Sequence, residues 1–192
     1  MLESNTSERN IPCINSATVS CKPYQKYIMN DLYQNPIIPG FNPDPSIIRC
    51  GPDFFLVTSS FEYFPGVPIY HSKDLIKWEL IGHVLTRRSQ LDIRTPEPGG
   101  GIWAATIRQH NGRFYVMTCC FDRYRPQEDD RVPPRGFYTY TDDIWKEDSW
   151  SDPVYFDQVG FDQDVSWNGT IILSTSPLDY QFSDDIYLVV LG

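Results

Sequence analysis

No run in this 192-residue chain approaches the ~18 consecutive apolar residues of a membrane helix. The opening Met1-Leu2-Glu3-Ser4-Asn5 has neither the basic nor the apolar segment of an export signal. As written, the sequence is expected to be cytoplasmic, and secreted if the true start lies upstream. Positive charge is also scarce: 16 basic against 25 acidic side chains leave a net −9, which argues against nucleic acid or an anionic membrane as partner. Cysteine is sparse and odd in number. Cys13, Cys21, Cys50, Cys119 and Cys120 show no CxxC spacing and no zinc pattern with the three histidines, so free thiols are expected, and neither a metal nor an organic cofactor is implied. Asn5-Thr6-Ser7 and Asn168-Gly169-Thr170 match the glycosylation acceptor pattern and read as chance matches without a secretory route. Helical periodicity is nearly missing as well.

Aromatic residues, by contrast, make up 15% of the chain, with 12 Tyr and 5 Trp, enough for flat stacking surfaces beside a core. Residues 1–34 mix Ser, Asn, Lys and Cys without a period and read as an irregular extension. From Asn35 to the end, short β-prone runs alternate with Gly, Pro, Asn and Asp, the texture of an all-β domain over 35–192. Three stretches can be laid over one another, beginning at Phe41, Gly101 and Gly160. Each reads as strand, tight turn, strand. The turns are Cys50-Gly51-Pro52-Asp53, His110-Asn111-Gly112-Arg113 and Trp167-Asn168-Gly169-Thr170, with Asn-Gly, the strongest short hairpin signal, in two of them. The strands that follow start at Phe54, Phe114 and Ile171, spacings of 60 and 57 residues. Further strands are expected at Val67–Ser72, Ile76–Ile81 and Gly136–Tyr140, with an edge containing Trp150.

A hairpin unit recurring at so regular a spacing indicates propeller blades more naturally than a sandwich. In a propeller the first strand of each blade faces the central channel, which would bring Asp44, Trp103 and Asp162 together, each opening its blade's first strand. Two carboxylates and an indole around one pocket suit sugar chemistry, since a carboxylate activates water and an indole stacks on a pyranose. Each residue has a plainer reading. Asp44, between Pro43 and Pro45, could be turn chemistry. Trp103, between Ile102 and Ala104, could be core. Asp157 and Asp164 compete with Asp162, and Glu62 and Glu97 are further acidic candidates that read as solvated surface.

The run Asn35-Pro36-Ile37-Ile38-Pro39-Gly40-Phe41-Asn42-Pro43-Asp44-Pro45-Ser46-Ile47, the segment Thr58 to Leu75 with Phe61-Glu62-Tyr63-Phe64-Pro65-Gly66, and Gly101-Ile102-Trp103-Ala104 resemble the N-terminal half of glycoside hydrolase family 43 enzymes of β-xylosidase and α-L-arabinofuranosidase type. The resemblance runs from Asn35 to Thr170. It implies a five-bladed β-propeller acting on xylosides or arabinosides with inversion, with Asp44 as general base and Asp162 as the aspartate that orients the acid and tunes its pKa. It also implies Phe61 and Trp103 as apolar walls, and a xylo- or arabino-oligosaccharide as partner.

At about 60 residues a blade, residues 35–192 supply about two and a half blades, so the ring is expected not to close and the open blade edges to favour self-association. No residue is a candidate for the family's general acid, so the chain alone is expected to be a weak catalyst. The alternative, from a different class, is a non-catalytic propeller fragment binding carbohydrate or a protein partner.

Overall fold

Glycine and asparagine set the hairpins. Asn111 and Gly112 both adopt positive φ, 49° and 84°, the two left-handed positions that a two-residue type I′ turn requires. Gly51, at φ 62° and followed by Pro52, turns the first hairpin. The computed structural model describes residues 33–93, 98–121, 134–167, 171–176 and 187–191, with side chains omitted at 157–159, 171–176 and 187–191. All of them belong to one compact unit, Tyr33–Gly192. The expected extension, except Tyr33 and Gln34, lies outside the described residues, as do Cys13, Cys21, Glu97 and the turn at Asn168-Gly169-Thr170.

The described residues contain strands and no helix. In the first sheet β1 (Ser46–Cys50), β2 (Asp53–Val57), β3 (Gly66–Ser72) and β4 (Glu79–Leu85) follow one another in sequence order, antiparallel throughout. In the second, β7 (Arg113–Phe121), β8 (Arg135–Thr141) and β9 (Val154–Val159) do the same, but the first strand is split into β5 (Gly101–Ile102) and β6 (Thr106–His110), both paired to β7. The third sheet has β10 (Phe161–Trp167), β11 (Ile171–Ser176) and β12 (Tyr187–Leu191).

Alternation buries Phe55 and Val57 of β2, and with Val67, Ile69, Val84 and Leu85 of the first sheet they share a core with Ile102, Ile107, Val116 and Phe137 of the second. Phe55 meets Phe114 edge to face at 5.4 Å. Gln90, 3% exposed, fastens the same junction: its Oε1 accepts the Thr86 and Arg87 amides at 3.0 and 3.1 Å, and its Nε2 donates to the Ser151 carbonyl at 2.9 Å. His110 stacks on Trp167 at 4.8 Å, joining the second sheet to the third.

Several expectations need correction. The fourth strand begins at Glu79 rather than Ile76, because Asp74 Oδ1 accepts the Ile76 and Lys77 amides at 2.9 and 2.7 Å and closes a turn there. Trp150 is not on an edge strand: it is 3% exposed in the core, and the edge is β9. Nor do the three channel candidates share one position. Asp44 precedes β1, Trp103 lies in the break between β5 and β6, and Asp162 lies inside β10.

Candidate active site

Asp44 lies between two prolines with φ 52°, a left-handed conformation that aspartate tolerates better than most residues. The loop is pinned by the end of β2: the Ser59 amide donates to the Pro43 carbonyl at 3.1 Å, and the Ser59 hydroxyl donates to Asp44 Oδ2 at 2.6 Å. That bond fixes the carboxylate's orientation. Two residues on, Phe61 also has positive φ, 49°, which for a bulky side chain costs on the order of 1–3 kcal/mol. A reciprocal pair of backbone bonds holds it, Phe61 N–H to the Ile102 carbonyl at 2.8 Å and Ile102 N–H to the Phe61 carbonyl at 2.9 Å.

Trp103 follows directly. Its amide donates to the Cys119 carbonyl at 3.1 Å, its indole Nε1 donates to the Gly99 carbonyl at 2.9 Å, and its ring packs on Phe121 at 4.4 Å. The break in the first strand therefore presents a fixed, half-buried indole at the seam between the first two sheets. Asp162 has φ 57° at a bulge, where the register slips between Phe161 and Asp164. A bulge re-aims a side chain. Although Asp162 is exposed as a residue, protein atoms crowd its carboxyl and hold it above the ordinary aspartate range, with the negative charge of Asp44 as the second cause. Cys119 feels the same carboxylate. Burial first, then the Asp162 charge, push its thiol up to about 12.

Hydrogen bonds thus tie Asp44 to Ser59, Phe61 to Ile102, and Trp103 to Cys119, while Asp162 feels the negative charge of Asp44. Of the candidate residues, Asp44, Phe61 and Asp162 have left-handed backbones. Asp164 pairs with Arg108 at 2.6 Å, Glu62 accepts the Gly99 amide at 3.3 Å, and the Asp157 side chain and Glu97 lie outside the described residues. Sequence reasoning missed Ser59 and Cys119, although the 60-residue overlay makes them equivalent positions. It also missed Phe41, which packs against Phe61, and Tyr63, which packs against Phe41. Among the described residues no group of three or more His, Cys, Asp or Glu could hold a metal ion.

The model for glycosyl hydrolases family 43 matches residues 33–187. A non-reducing end α-L-arabinofuranosidase of Bacteroides ovatus is 57% identical over 86 residues, which is 44% of this chain and 16% of that protein. A xylan 1,3-β-xylosidase of a Vibrio species is 47% identical over 93 residues, 48% of this chain and 17% of that protein. The crystal structure of a xylan β-1,4-xylosidase from Bacillus halodurans superposes with a TM-score of 0.73 at 36% identity, covering 84% of this chain and 31% of that one. The matched stretches thus span 16–17% of the length of these two relatives.

Proposed function

The chain belongs to glycosyl hydrolases family 43, and from that premise we propose that it carries the base side of an inverting glycosidase site acting on xylosides or arabinosides. Its three sheets are read as successive blades of a five-bladed propeller. Asp44 is the general base. Its carboxylate takes a proton from water as the water oxygen attacks the anomeric carbon, and the glycosidic C–O bond breaks on the opposite face of the sugar. Asp162 orients the acid and tunes it. The acid, which must protonate the leaving oxygen from ~6.5–9.5 Å away from the base, is assigned to no residue of this chain. Phe61 and Trp103 wall the sugar. The observation that supports the reading is the Asp44 carboxylate, held by the Ser59 hydroxyl at 2.6 Å on a left-handed loop, in a chain that matches family 43 over residues 33–187.

Leaving-group chemistry tests it. From a dinitrophenyl glycoside the dinitrophenolate leaves without protonation, so the chain should hydrolyse dinitrophenyl β-xyloside or α-arabinofuranoside measurably, with the inverted sugar as the first product by NMR. Asp44→Asn should abolish that turnover. Xylobiose, whose leaving oxygen needs a proton, should react slower by the ~10²–10⁴-fold that general acid catalysis supplies. Retained turnover in Asp44→Asn would overturn the base assignment. Sugar binding with no turnover on any substrate would favour the non-catalytic reading.

A further inference from the structure

We propose that Phe41 and Tyr63 form a stacking platform for the sugar residue adjoining the one walled by Phe61, so that the site selects oligosaccharide chains over single sugars. The inference rests on the glycoside reading above and extends it to substrate length. Phe41 and Tyr63 leave 60% and 61% of their surfaces in water, among the most exposed of the described large hydrophobic side chains. Large apolar groups so exposed and so close together mark a contact surface.

They are continuous with the candidate site. Phe41 lies three residues before Asp44 and Tyr63 two after Phe61. The Phe41 ring meets Phe61 at 5.6 Å, inclined 60°, and Tyr63 at 5.9 Å, inclined 68°. Neither contact is a parallel stack, and the exposed area of both rings is left for the C–H face of a pyranose or furanose.

The platform is also held in place. Tyr70 donates its hydroxyl to Asn42 Oδ1 at 2.6 Å, and Asn42 Nδ2 donates to the Ile38 and Pro39 carbonyls at 3.4 and 3.3 Å, so the residue after Phe41 is tied to β3 and to its own loop. The Tyr63 amide donates to the Ser60 carbonyl at 2.9 Å. Rings held before the ligand arrives lose little freedom on binding. A chain whose terminal sugar sits against Phe61 and Asp44 therefore has the next ring's platform already formed on this side of the pocket.

Calorimetric titration of the full chain with xylose and xylotriose, and with arabinose and α-1,5-arabinotriose, reads the preference directly. At least one trisaccharide should bind about tenfold more tightly than its monosaccharide, the size of one aromatic stacking contact. Phe41→Ala and Tyr63→Ala should each bring that ratio towards one, while Phe41→Tyr and Tyr63→Phe, which keep the ring, should preserve it. Circular dichroism of each variant separates lost stacking from lost folding. Wild type that binds single sugars and trisaccharides equally, or Phe41→Ala that keeps the full preference, overturns the platform alone. Wild type that binds no sugar overturns the glycoside reading and the platform with it. Phe41→Ala that changes oligomeric state in light scattering but not the ratio assigns the patch to a protein contact and overturns the platform.

Discussion

The ends of β2 and β7 occupy the same place in the repeat, sixty residues apart, as Val57-Thr58-Ser59-Ser60-Phe61 and Met117-Thr118-Cys119-Cys120-Phe121. In the first, both serines do polar work: Ser59 holds the Asp44 carboxylate, Ser60 Oγ accepts the Val67 amide at 3.1 Å, and the chain turns at Phe61 to bridge Ile102. In the second, the strand runs on to Phe121, Cys119 is fully buried, and its contribution is a backbone carbonyl for Trp103 and an uncharged neighbour for Asp162. One repeat unit thus supplies an anchor for one acid and an apolar backing for the other. Exchange of serine for cysteine, with almost no change in shape, separates the two roles.

The hinge between the two units should break first. A Cβ on Gly101, which has φ 87°, would lie 2.2 Å from the Phe61 carbonyl oxygen, where backbone meets backbone. Gly101→Ala should cost about 3 kcal/mol, a fall of roughly 6–12 °C in Tm by calorimetry. Gly51→Ala supplies the control, with φ 62° and nothing within 4 Å, and should cost only about 1–2 kcal/mol. Equal losses would mean that backbone handedness alone matters and that the bridge to Phe61 does not hold the fold. Swapping the pair comes next. Cys119→Ser buries a hydroxyl in the thiol's place and should cost about 1–3 kcal/mol in urea unfolding, whereas Ser59→Cys loses one hydrogen bond to a carboxylate on an exposed residue and should cost about 1 kcal/mol or less. A neutral Cys119→Ser would show that Asp162 accepts the new hydroxyl as Asp44 accepts Ser59, and the two units would then be chemically alike.

Much of this was legible in the residues, and the lapses have local causes. Asn111-Gly112 announced its hairpin because few residues tolerate two successive left-handed positions. The overlay of Phe54 on Phe114 located equivalent strands correctly. Ile76 and Trp78 looked like a strand, but Asp74 captures the amides there and the Trp78 indole donates to the Leu75 carbonyl at 3.0 Å. Trp150 looked like an edge because nothing local says that the Arg87 guanidinium will donate to its carbonyl at 3.1 Å from the first sheet. The candidate site residues were read from the repeat and the resemblance together. The left-handed backbones at Asp44, Phe61 and Asp162 follow from tertiary hydrogen bonds and a bulge, which composition does not encode.

The smallest effect is the most discriminating, because it reads the two acids without any turnover. Asp162 is held above 3.8 by crowding first and by Asp44 second. Removing the Asp44 charge should therefore lower its midpoint without returning it to 3.8. Carboxyl 13C titration of Asp44→Asn measures this directly. The linked stability has a definite sign. Well below the ordinary aspartate pKa Asp162 is protonated in both folded and unfolded chains and costs nothing, but as pH rises towards the raised folded value the unfolded chain ionises more readily and the fold loses stability. Asp162→Asn should remove that loss, leaving the variant relatively more stable at neutral pH than in acid when each is compared with wild type. An Asp162 midpoint indifferent to Asp44→Asn would mean that the carboxylates do not sense each other, and the seam between the anchored and the backed acid would not be one site.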